Sequence, residues 1–370
     1  MNYNSTNQKT EPRIRQTIRS DFSQTKIKEE FKSEYKDLKQ YFLSEERKKK
    51  LENMNIIKRI FVLPWWLVKA MYLKLTPFRR ILFFIGLFGF FTFGNFSSGP
   101  EGTELTLNIS AVFTAFVFLF ILALELKDKL LAKTELEEGR AIQQALMPEQ
   151  SPKVNGWDIW LFTRSANDVG GDLLDFIQVE ENKFGVAVGD VAGKGLSAAL
   201  LMAKLQSTIR AIIYDQLPLN KMCQKLNSIF YRDSPSKIFA SLVYFEISDS
   251  SGKVNFINAG HYPPLVVKKE QVIKLSKESP ALGLMINADF SEKNVTLDKD
   301  EFMLIYSDGL TEAQNASGVF FEEERLIDLL NKKHYLTSRQ LGEMIIENVD
   351  LFMGKTPAHD DLTLAILKKV

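Results

Sequence analysis

Two stretches without a charged residue constrain the fold of this 370-residue chain more than any other feature. The stretch Leu105–Leu124 has about 20 residues, the length that an α-helix needs to cross a hydrocarbon core of roughly 30 Å. The stretch Ile81–Phe96 is also free of charge but, at about 16 residues, is slightly short for a full span. A pair of buried helices in a soluble protein is the alternative. We predict two transmembrane helices joined by a short link.

Basic residues lie on the outer flanks of these two stretches. Arg79 and Arg80 precede the first stretch, and Lys127, Lys129 and Lys133 follow the second, whereas the link SSGPEGTE has no Lys or Arg. The positive-inside rule therefore places both flanks in the cytoplasm. We predict a multi-pass protein of the cell inner (cytoplasmic) membrane, with its N-terminus and its C-terminal region in the cytoplasm.

The region before the first stretch is polar at its start and amphipathic later. Residues 1–24 are polar and are expected to be disordered, without a signal peptide. Apolar residues at three- and four-residue steps then predict an amphipathic helix; they are Phe31, Tyr35, Leu38 and Phe42. Residues 56–75 contain interspersed lysines and the pair Trp65 and Trp66, which favours a position at the membrane surface. Pro64 is expected to kink or end a helix there.

A helical connection is predicted after the second stretch. Leu126–Met147 is rich in strong helix formers and stops before Pro148. Its loose apolar stripe suggests that it continues the second membrane helix and pairs with a copy of itself. The predicted organisation has four regions: an N-terminal region 1–50, a membrane region 51–126 with helices at about 81–96 and 105–124, a helical signalling linker 127–150, and a catalytic domain 151–370.

The C-terminal region shows groups of strand patterns and groups of helix patterns. The predicted strands are Trp157–Arg164, Leu174–Val179, Lys183–Val188, Phe239–Ile247, Val254–Ile257, Leu265–Val267, Phe302–Tyr306 and Leu362–Leu367. The predicted helices are Leu196–Tyr214, Leu219–Tyr231, Glu322–Asn331 and Ser338–Phe352. Because these elements do not alternate strictly as βαβ units, the pattern favours a layered α+β fold.

Composition argues against several classes of function. The formal net charge is +1, which gives no electrostatic reason to expect nucleic acid as a partner. Cys223 is the only cysteine, so an intrachain disulfide is impossible, and the three histidines are far apart in the sequence. A zinc site of the Cys/His kind is therefore not expected, and any metal ion would be bound by oxygen.

Acidic residues recur at the ends of predicted strands. The four clusters are VGGDLLD (169–175), VGDVAGKG (188–195), YSDGLTE (306–312) and, without glycine, HDDLT (359–363). Each cluster alone is a weak signal, because Asp-Gly pairs are more often ordinary turns. Carboxylates at strand ends are costly to bury unpaired, so four clusters in one region suggest that they share a cation. Mg²⁺ and Mn²⁺ prefer such oxygen ligands, and two of these ions can promote attack of water on a phosphoryl group.

Seven ordered blocks between about Glu135 and Val370 carry a resemblance to a known family. They are IQQALMPEQSP, VGGDLLDF, VGDVAGKGLSAALLMA, NAGHYPPLVV, ALGL, IYSDGLTEA and HDDLTLAIL. This region resembles the PPM, or protein phosphatase 2C-like, serine/threonine phosphatases, in the bacterial SpoIIE-type branch that regulates sigma factors. The resemblance implies an αββα sandwich with two divalent metal ions, Mn²⁺ or Mg²⁺, at one end of the sheets. It also implies hydrolysis of phosphoserine or phosphothreonine by water that these ions activate.

The resemblance assigns metal-binding and catalytic roles to individual residues. Asp190 would bridge both metal ions, and the carbonyl of Val191 would complete one of the two sites. Asp308 and Asp360 would bind the other ion, and Asp172 would lie near the first pair. The four aspartates are the predicted catalytic residues.

Three further residues lie in or near these motifs. Asp361 is expected to support Asp360. Lys194 stands where many relatives have histidine, although lysine is also familiar there. His261, in NAGHYPPL, could act as a general acid, but a hydrogen-bonding role at that turn is the favoured interpretation.

The sequence thus predicts a membrane-anchored phosphatase in a signal-transduction pathway. Its substrate would be a phosphorylated cytoplasmic regulator, and the resemblance suggests one of the anti-sigma-factor antagonist type. Other predicted partners are membrane lipids and a second copy of the chain, bound through the linker helix; no nucleic acid is expected. Two alternatives are a phosphatase-like docking module without turnover and a membrane scaffold. The intact acidic set argues against the docking module.

Overall fold

Contacts along the chain define two units, Met1–Lys129 and Leu130–Val370. The computed structural model describes residues 35, 39, 42–92, 95–98, 105–235, 237–248, 251–268, 271–276, 279–331 and 333–370. The polar segment 1–24, and Phe31 and Leu38 of the predicted amphipathic helix, lie outside the described residues.

The first unit is mainly helical. Its described elements are α1 (Glu45–Glu52), α2 (Ile56–Lys74), α3 (Pro77–Thr92), β1 (Asn95–Ser98), β2 (Leu105–Asn108) and the first part of α4 (Ile109–Leu146). Helix α2 continues through Pro64, so this proline does not end the helix as one prediction allowed. A proline removes one backbone hydrogen bond, and the remaining bonds of this 19-residue helix are sufficient to continue it.

The two apolar stretches differ from their predicted bounds. Helix α3 ends at Thr92 instead of Phe96, and α4 begins at Ile109 instead of Leu105. The residues between these helices include the antiparallel pair of β1 and β2, in which Asn95 is opposite Asn108. Backbone pairing between two short strands satisfies polar groups that a helix end would leave without partners, which accounts for the shorter helical parts.

Helices α3 and α4 pack closely against each other within the first unit. A Cβ atom at Gly86 would lie 3.1 Å from Cγ1 of Val117, and the Thr114 hydroxyl donates to the Gly86 carbonyl at 3.0 Å. Nearer the other end of α3, the Arg79 guanidinium pairs with Glu125 at 2.7 Å and with Asp128 at 2.6 Å. The helices are therefore antiparallel, and a small residue allows their close approach.

Two helices within the described ranges are long and apolar enough to cross a membrane, namely Ser110–Leu146 and Leu196–Asp215. The second of them lies in the core of the C-terminal unit, where Met202, Leu205 and Ile209 are buried. Length and composition alone do not separate a membrane helix from a core helix. Of the two, only the helix that begins at Ser110 is a candidate for the membrane.

The second unit contains two five-stranded antiparallel sheets with helices on their outer faces. Its elements after α4 are β3 (Trp157–Arg164), β4 (Asp172–Glu180), β5 (Lys183–Val191), α5 (Leu196–Ile212), α6 (Leu219–Asp233), β6 (Ala240–Ser248), β7 (Lys253–Ala259), β8 (Leu265–Val267), β9 (Val272–Lys274), β10 (Lys293–Thr296), β11 (Phe302–Tyr306), α7 (Asp308–Thr311), α8 (Glu323–Leu330), α9 (Ser338–Met353) and β12 (Leu362–Lys369). The strand orders are β10-β7-β6-β5-β4 and β3-β12-β11-β8-β9. The predicted α+β class is confirmed, and every predicted strand and helix of this region is present. The short strands β9 and β10 were not predicted.

Three apolar layers hold the second unit together. Helices α5 and α6 cover the first sheet, where Leu205 packs with Leu173. Helices α8 and α9 cover the second sheet, where Ile345 packs with Leu364. The two sheets face each other across a third layer that contains Val188 and Ala365. The result is a helix–sheet–sheet–helix sandwich.

Strand alternation decides which polar side chains reach the gap between the sheets. Leu174 of β4 and Val188 of β5 point into this gap. Successive side chains of a strand point to opposite faces, so residues two positions apart share a face. Asp172 lies two residues before Leu174 and Asp190 lies two residues after Val188, so both aspartates also point into the gap. Thr363 of β12 is placed similarly, two residues before Ala365. The fold thus gathers polar groups at one end of the space between the sheets.

Candidate metal centre

Asp172 and Asp190 form a directly opposed pair on neighbouring strands. They are register partners in the antiparallel pairing of β4 with β5. Side chains opposite each other in such a pair lie on the same face, with Cβ atoms about 5 Å apart. Asp172 is buried and Asp190 is half-buried, so the first sheet contributes two carboxylates to one small region.

The second sheet contributes Asp308 and Asp360 from adjacent strand ends. Asp308 begins α7 two residues after the end of β11, and Asp360 precedes β12, which pairs with β11. The backbone N–H of Ser307 donates to the Thr363 carbonyl at 3.0 Å, and the Thr363 N–H donates to the Ser307 hydroxyl at 2.9 Å. A Cβ atom at Gly309 would lie only 3.1 Å from the Asp360 carbonyl oxygen. Glycine at this position lets the two acidic segments approach each other.

The carboxylates raise one another's pKa across the gap. Burial, followed by the charges of Asp308 and Asp360, raises the pKa of Asp190 to about 7. Burial, followed by the charge of Asp360, raises the pKa of Asp308 to about 6. Burial and the charge of Asp190 raise the pKa of Asp172 well above its usual value, although the hydroxyls of Thr363 and Ser307 oppose this shift. The structure therefore brings the four predicted aspartates into one electrostatically coupled cluster.

Two observations show that this cluster fits an oxygen-bound cation. The Oδ2 atom of Asp172 is buried and has no hydrogen-bond partner among the described residues. A Cβ atom at Gly171 would lie 3.3 Å from the Val191 carbonyl oxygen and 3.5 Å from Asp190 Oδ1. This Cβ atom would also lie 3.2 Å from Cβ of Ala198, so glycine allows the backbone to lie close to two oxygen atoms of the kind that a hard cation prefers.

Among the described residues, the protein alone does not form a closed metal cage. Within the ranges that the structure describes, no three acidic, histidine or cysteine side chains are already arranged to enclose a metal ion. A centre at these aspartates would therefore combine few protein oxygens with several waters. Such coordination is usual for Mg²⁺, which loses its waters reluctantly.

Asp361 fixes the loop that precedes Asp172. Its Oδ1 atom accepts the Ala166 N–H at 2.7 Å, and its Oδ2 atom accepts the N–H groups of Gly171 at 2.6 Å and of Asp172 at 3.4 Å. Its own N–H donates to Asp360 Oδ1 at 3.1 Å. The predicted support of Asp360 thus comes from the backbone N–H of Asp361. The Asp361 carboxylate, at the start of β12 in the second sheet, holds the loop that leads into β4 of the first sheet.

Lys194 lies at the exposed rim of the cluster. Its ammonium group donates to Asp360 Oδ2 at 2.9 Å and to the His359 carbonyl at 2.8 Å. The hydrogen bond to Asp360 raises the pKa of the lysine. Because the Lys194 side chain is 61% exposed, it supplies a positive charge that an incoming anion can reach.

His261 is buried and has a structural position. Its Nδ1 atom is 2.7 Å from the Ser241 hydroxyl, and its Nε2 atom is 3.1 Å from the Tyr306 carbonyl oxygen. Since a carbonyl oxygen only accepts, Nε2 carries a proton and donates, which leaves Nδ1 of a neutral ring to accept from Ser241. The ring ties β6 to the end of β11. This arrangement agrees with the favoured hydrogen-bonding role and not with a general acid.

Asp175 belongs to the first acidic cluster of the sequence but not to the site. An offset of three residues from Asp172 turns its side chain toward the helix layer. There the buried Asp175 carboxylate accepts two hydrogen bonds from Arg210 of α5, both at 2.8 Å. The alternation of β4 therefore separates two aspartates that the sequence places together.

Sequence reasoning missed Gln143, which contacts the loop before Asp172. Gln143 lies in the block IQQALMPEQSP, to which no chemical role was assigned. Its side-chain amide pairs with both backbone polar groups of Gly170. No local pattern indicates such a contact, because it joins a helix to a loop 27 residues further along the chain.

Structural similarity defines the class of this domain. The SiaA-PP2C domain of Pseudomonas aeruginosa superposes with a TM-score of 0.57 at 18% sequence identity, over 65% of this chain and 98% of that domain. An identity of this size shows the fold alone. The second unit has the fold of a PP2C-type serine/threonine phosphatase domain.

Sequence comparison defines the family. The family model of Stage II sporulation protein E (SpoIIE) matches residues 180–370, and the chain belongs to the SpoIIE family. Phosphoserine phosphatase RsbU of Bacillus subtilis is 24% identical over 239 residues, which cover 64% of this chain and 70% of RsbU. Protein IcfG of Synechocystis sp. is 27% identical over 272 residues, which cover 66% of this chain and 43% of IcfG. The chain thus spans less than half the length of IcfG.

Proposed function

We propose that this chain is a membrane-anchored, metal-dependent protein phosphatase that hydrolyses phosphoserine or phosphothreonine on a cytoplasmic regulatory protein. The observation that carries the proposal is the convergence of four aspartates at one end of the two sheets. These are Asp172, Asp190, Asp308 and Asp360. Burial, followed by the charges of the neighbouring carboxylates, raises the pKa values of Asp190 and Asp308, so a bound cation would be favourable there.

The proposed roles follow from the position of each group. Asp190 faces Asp172 on one side and the acidic segment of the second sheet on the other, so it is suited to hold two cations at once. The Val191 carbonyl and Asp172 would complete one site, and Asp308 with Asp360 would hold the second cation. Two ions of Mn²⁺ or Mg²⁺ bound there would supply the Lewis acidity for attack of water on phosphorus.

The residues around the cluster suit a phosphate ester. The Lys194 ammonium at the rim would attract and orient the phosphoryl oxygens. No serine or cysteine nucleophile is needed in this scheme. The similarity to RsbU, a phosphoserine phosphatase, supports phosphoserine as the substrate group. The family resemblance favours a regulator of the anti-sigma-factor antagonist type.

The surface of the first unit supports the membrane anchor. Large apolar side chains of α3 and α4 are solvent-exposed, among them Phe91 and Phe116, each more than 70% exposed. An exposed apolar surface of this kind is stable in lipid and unfavourable in water. We place α3 and the start of α4 across the cell inner membrane, with the N-terminus and the phosphatase domain in the cytoplasm. Extraction tests this placement: carbonate at high pH should leave the chain in the membrane fraction, and its release would refute the anchor.

The helix α4 also supports pairing with a second copy of the chain. Leu130, Leu131 and Ile142 are each more than half exposed on this helix. Exposed apolar residues along a long helix are typical of helix–helix interfaces. We therefore propose a homodimer through the linker region 127–150. Sedimentation of the chain in detergent should give the mass of two chains. The mass of a single chain would refute the homodimer.

The phosphatase proposal is tested on the full chain in detergent. Phosphate release from a phosphoserine protein is measured with Mn²⁺ and with a chelator, for the wild type, Asp190→Asn and Asp308→Asn. Asp328→Asn, at an exposed position on α8, is the matched control. We expect Mn²⁺-dependent release that both cluster variants reduce by at least about 100-fold and the control does not change. Absence of release by the folded wild type would favour the docking module.

A further inference from the structure

Six large apolar side chains of the second unit are exposed in segments that adjoin the metal centre. Each is more than a third exposed, although the unit has an extensive apolar core in which such side chains are usually buried. We call this group the apolar rim, and its members are Leu196 and Leu200 of α5, Phe239 before β6, and Leu284, Met285 and Ile286 before β10.

The first turns of α5 connect the apolar rim to the acidic cluster. Leu196 begins this helix two residues after Lys194, whose ammonium group pairs with Asp360 at 2.9 Å. Leu196 and Leu200 are four residues apart, so they lie on the same face of the helix. Both side chains are more than half exposed. The rim therefore starts where the acidic cluster opens to solvent.

Phe239 continues the rim beside these turns. Its carbonyl accepts the N–H of Ala192, in the loop between β5 and α5, at 2.9 Å. One turn after Leu200, Lys204 pairs at 2.8 Å with Asp233, the last residue of α6. The exposed face of α5 is thus directed toward the segment that runs from the end of α6 to Phe239.

Backbone pairing brings the segment 284–286 next to Phe239. Ala240 and Leu282 exchange two backbone hydrogen bonds, at 2.9 and 2.8 Å. Phe239 directly precedes the first of these residues, and the segment 284–286 begins two residues after the second. The six side chains therefore belong to neighbouring segments and form one apolar surface.

A buried amide holds the last three residues of the rim in place. The side chain of Asn227, which is 1% exposed, donates to the carbonyls of Met285 at 2.9 Å and Ile286 at 3.2 Å. Its oxygen accepts the Gly283 N–H at 2.8 Å. The backbone is thus fixed from inside, while the side chains of 284–286 are each more than half exposed. A fixed surface loses little conformational entropy when a partner binds to it.

The position of the rim indicates what covers it. A phosphoserine that reaches the acidic cluster must bring its flanking residues onto the surface around the cluster. An extended chain advances about 3.3 Å per residue, so the residues within four positions of the phosphoserine reach roughly 13 Å from it. Contiguous exposed apolar surface marks an interaction site, and apolar flanking residues would remove this surface from water.

We propose that the apolar rim docks the substrate protein and selects a phosphoserine that has apolar residues on its flanks. The inference rests on the proposed phosphatase function and deepens it, because it names the chemistry of the substrate around the phosphate. The rim side chains contact neither the cations nor the phosphoryl group. They therefore act on KM for a peptide or protein substrate and not on the hydrolysis of a small ester.

The test compares two phosphoserine peptides of equal length and net charge, with the full chain in detergent, Mn²⁺ present and protein-free micelles as the blank. One peptide has leucine or isoleucine on both sides of the phosphoserine, and the other has serine or asparagine there. Hydrolysis of p-nitrophenyl phosphate, which is too small to reach the rim from the cluster, reports the chemistry alone. The rim variants are Leu200→Gln and Met285→Gln. Leu351→Gln, at an exposed leucine of α9 on the other sheet, is the matched control.

The expected result is a preference of the wild type for the apolar peptide by about 10-fold or more in kcat/KM, through a lower KM. Each rim variant should raise KM for this peptide by about 5- to 10-fold, because a half-exposed leucine or methionine loses its apolar contact. Hydrolysis of the polar peptide and of p-nitrophenyl phosphate should stay at the wild-type level. Leu351→Gln should keep the full preference.

The outcomes separate this inference from the proposed function. Equal kcat/KM for the two peptides in the wild type would overturn the inference, and so would rim variants that keep the wild-type preference. Rim variants that lose ester hydrolysis as strongly as peptide hydrolysis would overturn it as well. An unchanged preference, together with a fall of the sedimented mass to a single chain, would assign the rim to a contact between two copies instead.

A wild type that hydrolyses neither peptide nor ester with Mn²⁺ would refute the proposed function. Binding of the two peptides, measured by fluorescence anisotropy, then still decides the role of the rim. Tighter binding of the apolar peptide that both rim variants weaken would support docking without turnover. Equal binding of the two peptides would overturn the inference.

Discussion

Asp361 accepts the backbone N–H of Gly171 at 2.6 Å, across a separation of 190 residues in the sequence. Its other oxygen accepts the Ala166 N–H at 2.7 Å. One buried carboxylate at the start of β12 therefore holds the loop that enters β4 in the opposite sheet. The relative position of the acidic residues on the two sheets depends on this link.

Replacing Asp361 by asparagine should lower both stability and metal affinity. Asparagine keeps the shape but has one acceptor oxygen instead of two and no charge, so charge-assisted hydrogen bonds are lost. We expect the free energy of unfolding to fall by about 1.5–3 kcal/mol in urea titrations without metal. Asp350→Asn, which breaks an exposed pair with Arg164, should cost about 1 kcal/mol or less. Equal losses in the two variants would contradict this role of Asp361.

The raised pKa of Asp190 predicts how the stability of the metal-free protein depends on pH. Burial and the neighbouring carboxylates raise this pKa to about 7, whereas an aspartate in an unfolded chain has a pKa of about 3.9. Between these values the folded state keeps a proton that the unfolded state has released. The contribution of Asp190 to the free energy of unfolding therefore decreases as the pH rises from about 4 to about 7.

Urea unfolding in a chelator at several pH values measures this contribution. The wild type should lose more stability than Asp190→Asn over this pH range, because the asparagine does not titrate. Mn²⁺ should restore the stability of the wild type most strongly at the upper end of this pH range, where the carboxylates are ionised. If the stability of the two proteins changed with pH in the same way, the raised pKa of Asp190 would be refuted.

Gly309 should not tolerate a side chain. Its Cβ atom would lie 2.7 Å from the carbonyl carbon of Asp361 and 3.1 Å from the Asp360 carbonyl oxygen, and these backbone atoms cannot move aside. Gly309→Ala should therefore separate Asp308 from Asp360, lower stability by about 1–3 kcal/mol and abolish Mn²⁺-dependent activity.

Gly318→Ala is the control for Gly309→Ala. Gly318 has a φ of +76° but open space around its Cβ position, so alanine there should cost about 1 kcal/mol of backbone strain without loss of activity. Thermal unfolding and phosphate release measure both effects. Full activity of Gly309→Ala would contradict the close approach of the two acidic segments.

Removing Arg210 should leave a buried charge without its partner. The Asp175 carboxylate is fully buried and accepts two hydrogen bonds from Arg210. We expect Arg210→Met to lower the free energy of unfolding by about 3 kcal/mol, because the carboxylate loses its compensation. The double variant with Asp175→Leu should recover part of this loss. By contrast, Lys225→Met, which breaks an exposed pair with Asp215, should cost about 1 kcal/mol or less.

Much of the second unit could be predicted from local patterns. The strands Trp157–Arg164, Leu265–Val267 and Phe302–Tyr306 have the bounds that their apolar runs and alternation predict. The short strands Val272–Lys274 and Lys293–Thr296 could not be predicted in this way. Three or four residues carry too little pattern, and such strands form because a neighbouring strand offers a free edge.

The first unit shows a similar limit. Apolar composition predicted two helices, and α3 and α4 are present. Their facing ends are shorter than predicted because β1 and β2 pair with each other. Composition reports how favourable a segment is in an apolar environment, but not which backbone partner it finds.

The sequence by itself determined which elements form and which residue types are available for chemistry, because strand alternation, helix periodicity and glycine placement are local properties. The tertiary structure alone decided which acidic residues share a site. Asp172 joins Asp190 because β4 and β5 pair in one register, and Asp175 is excluded because it lies on the other face of the same strand. The contacts of Gln143 and Asp361 likewise depend on folding, since each joins segments that are distant in the sequence.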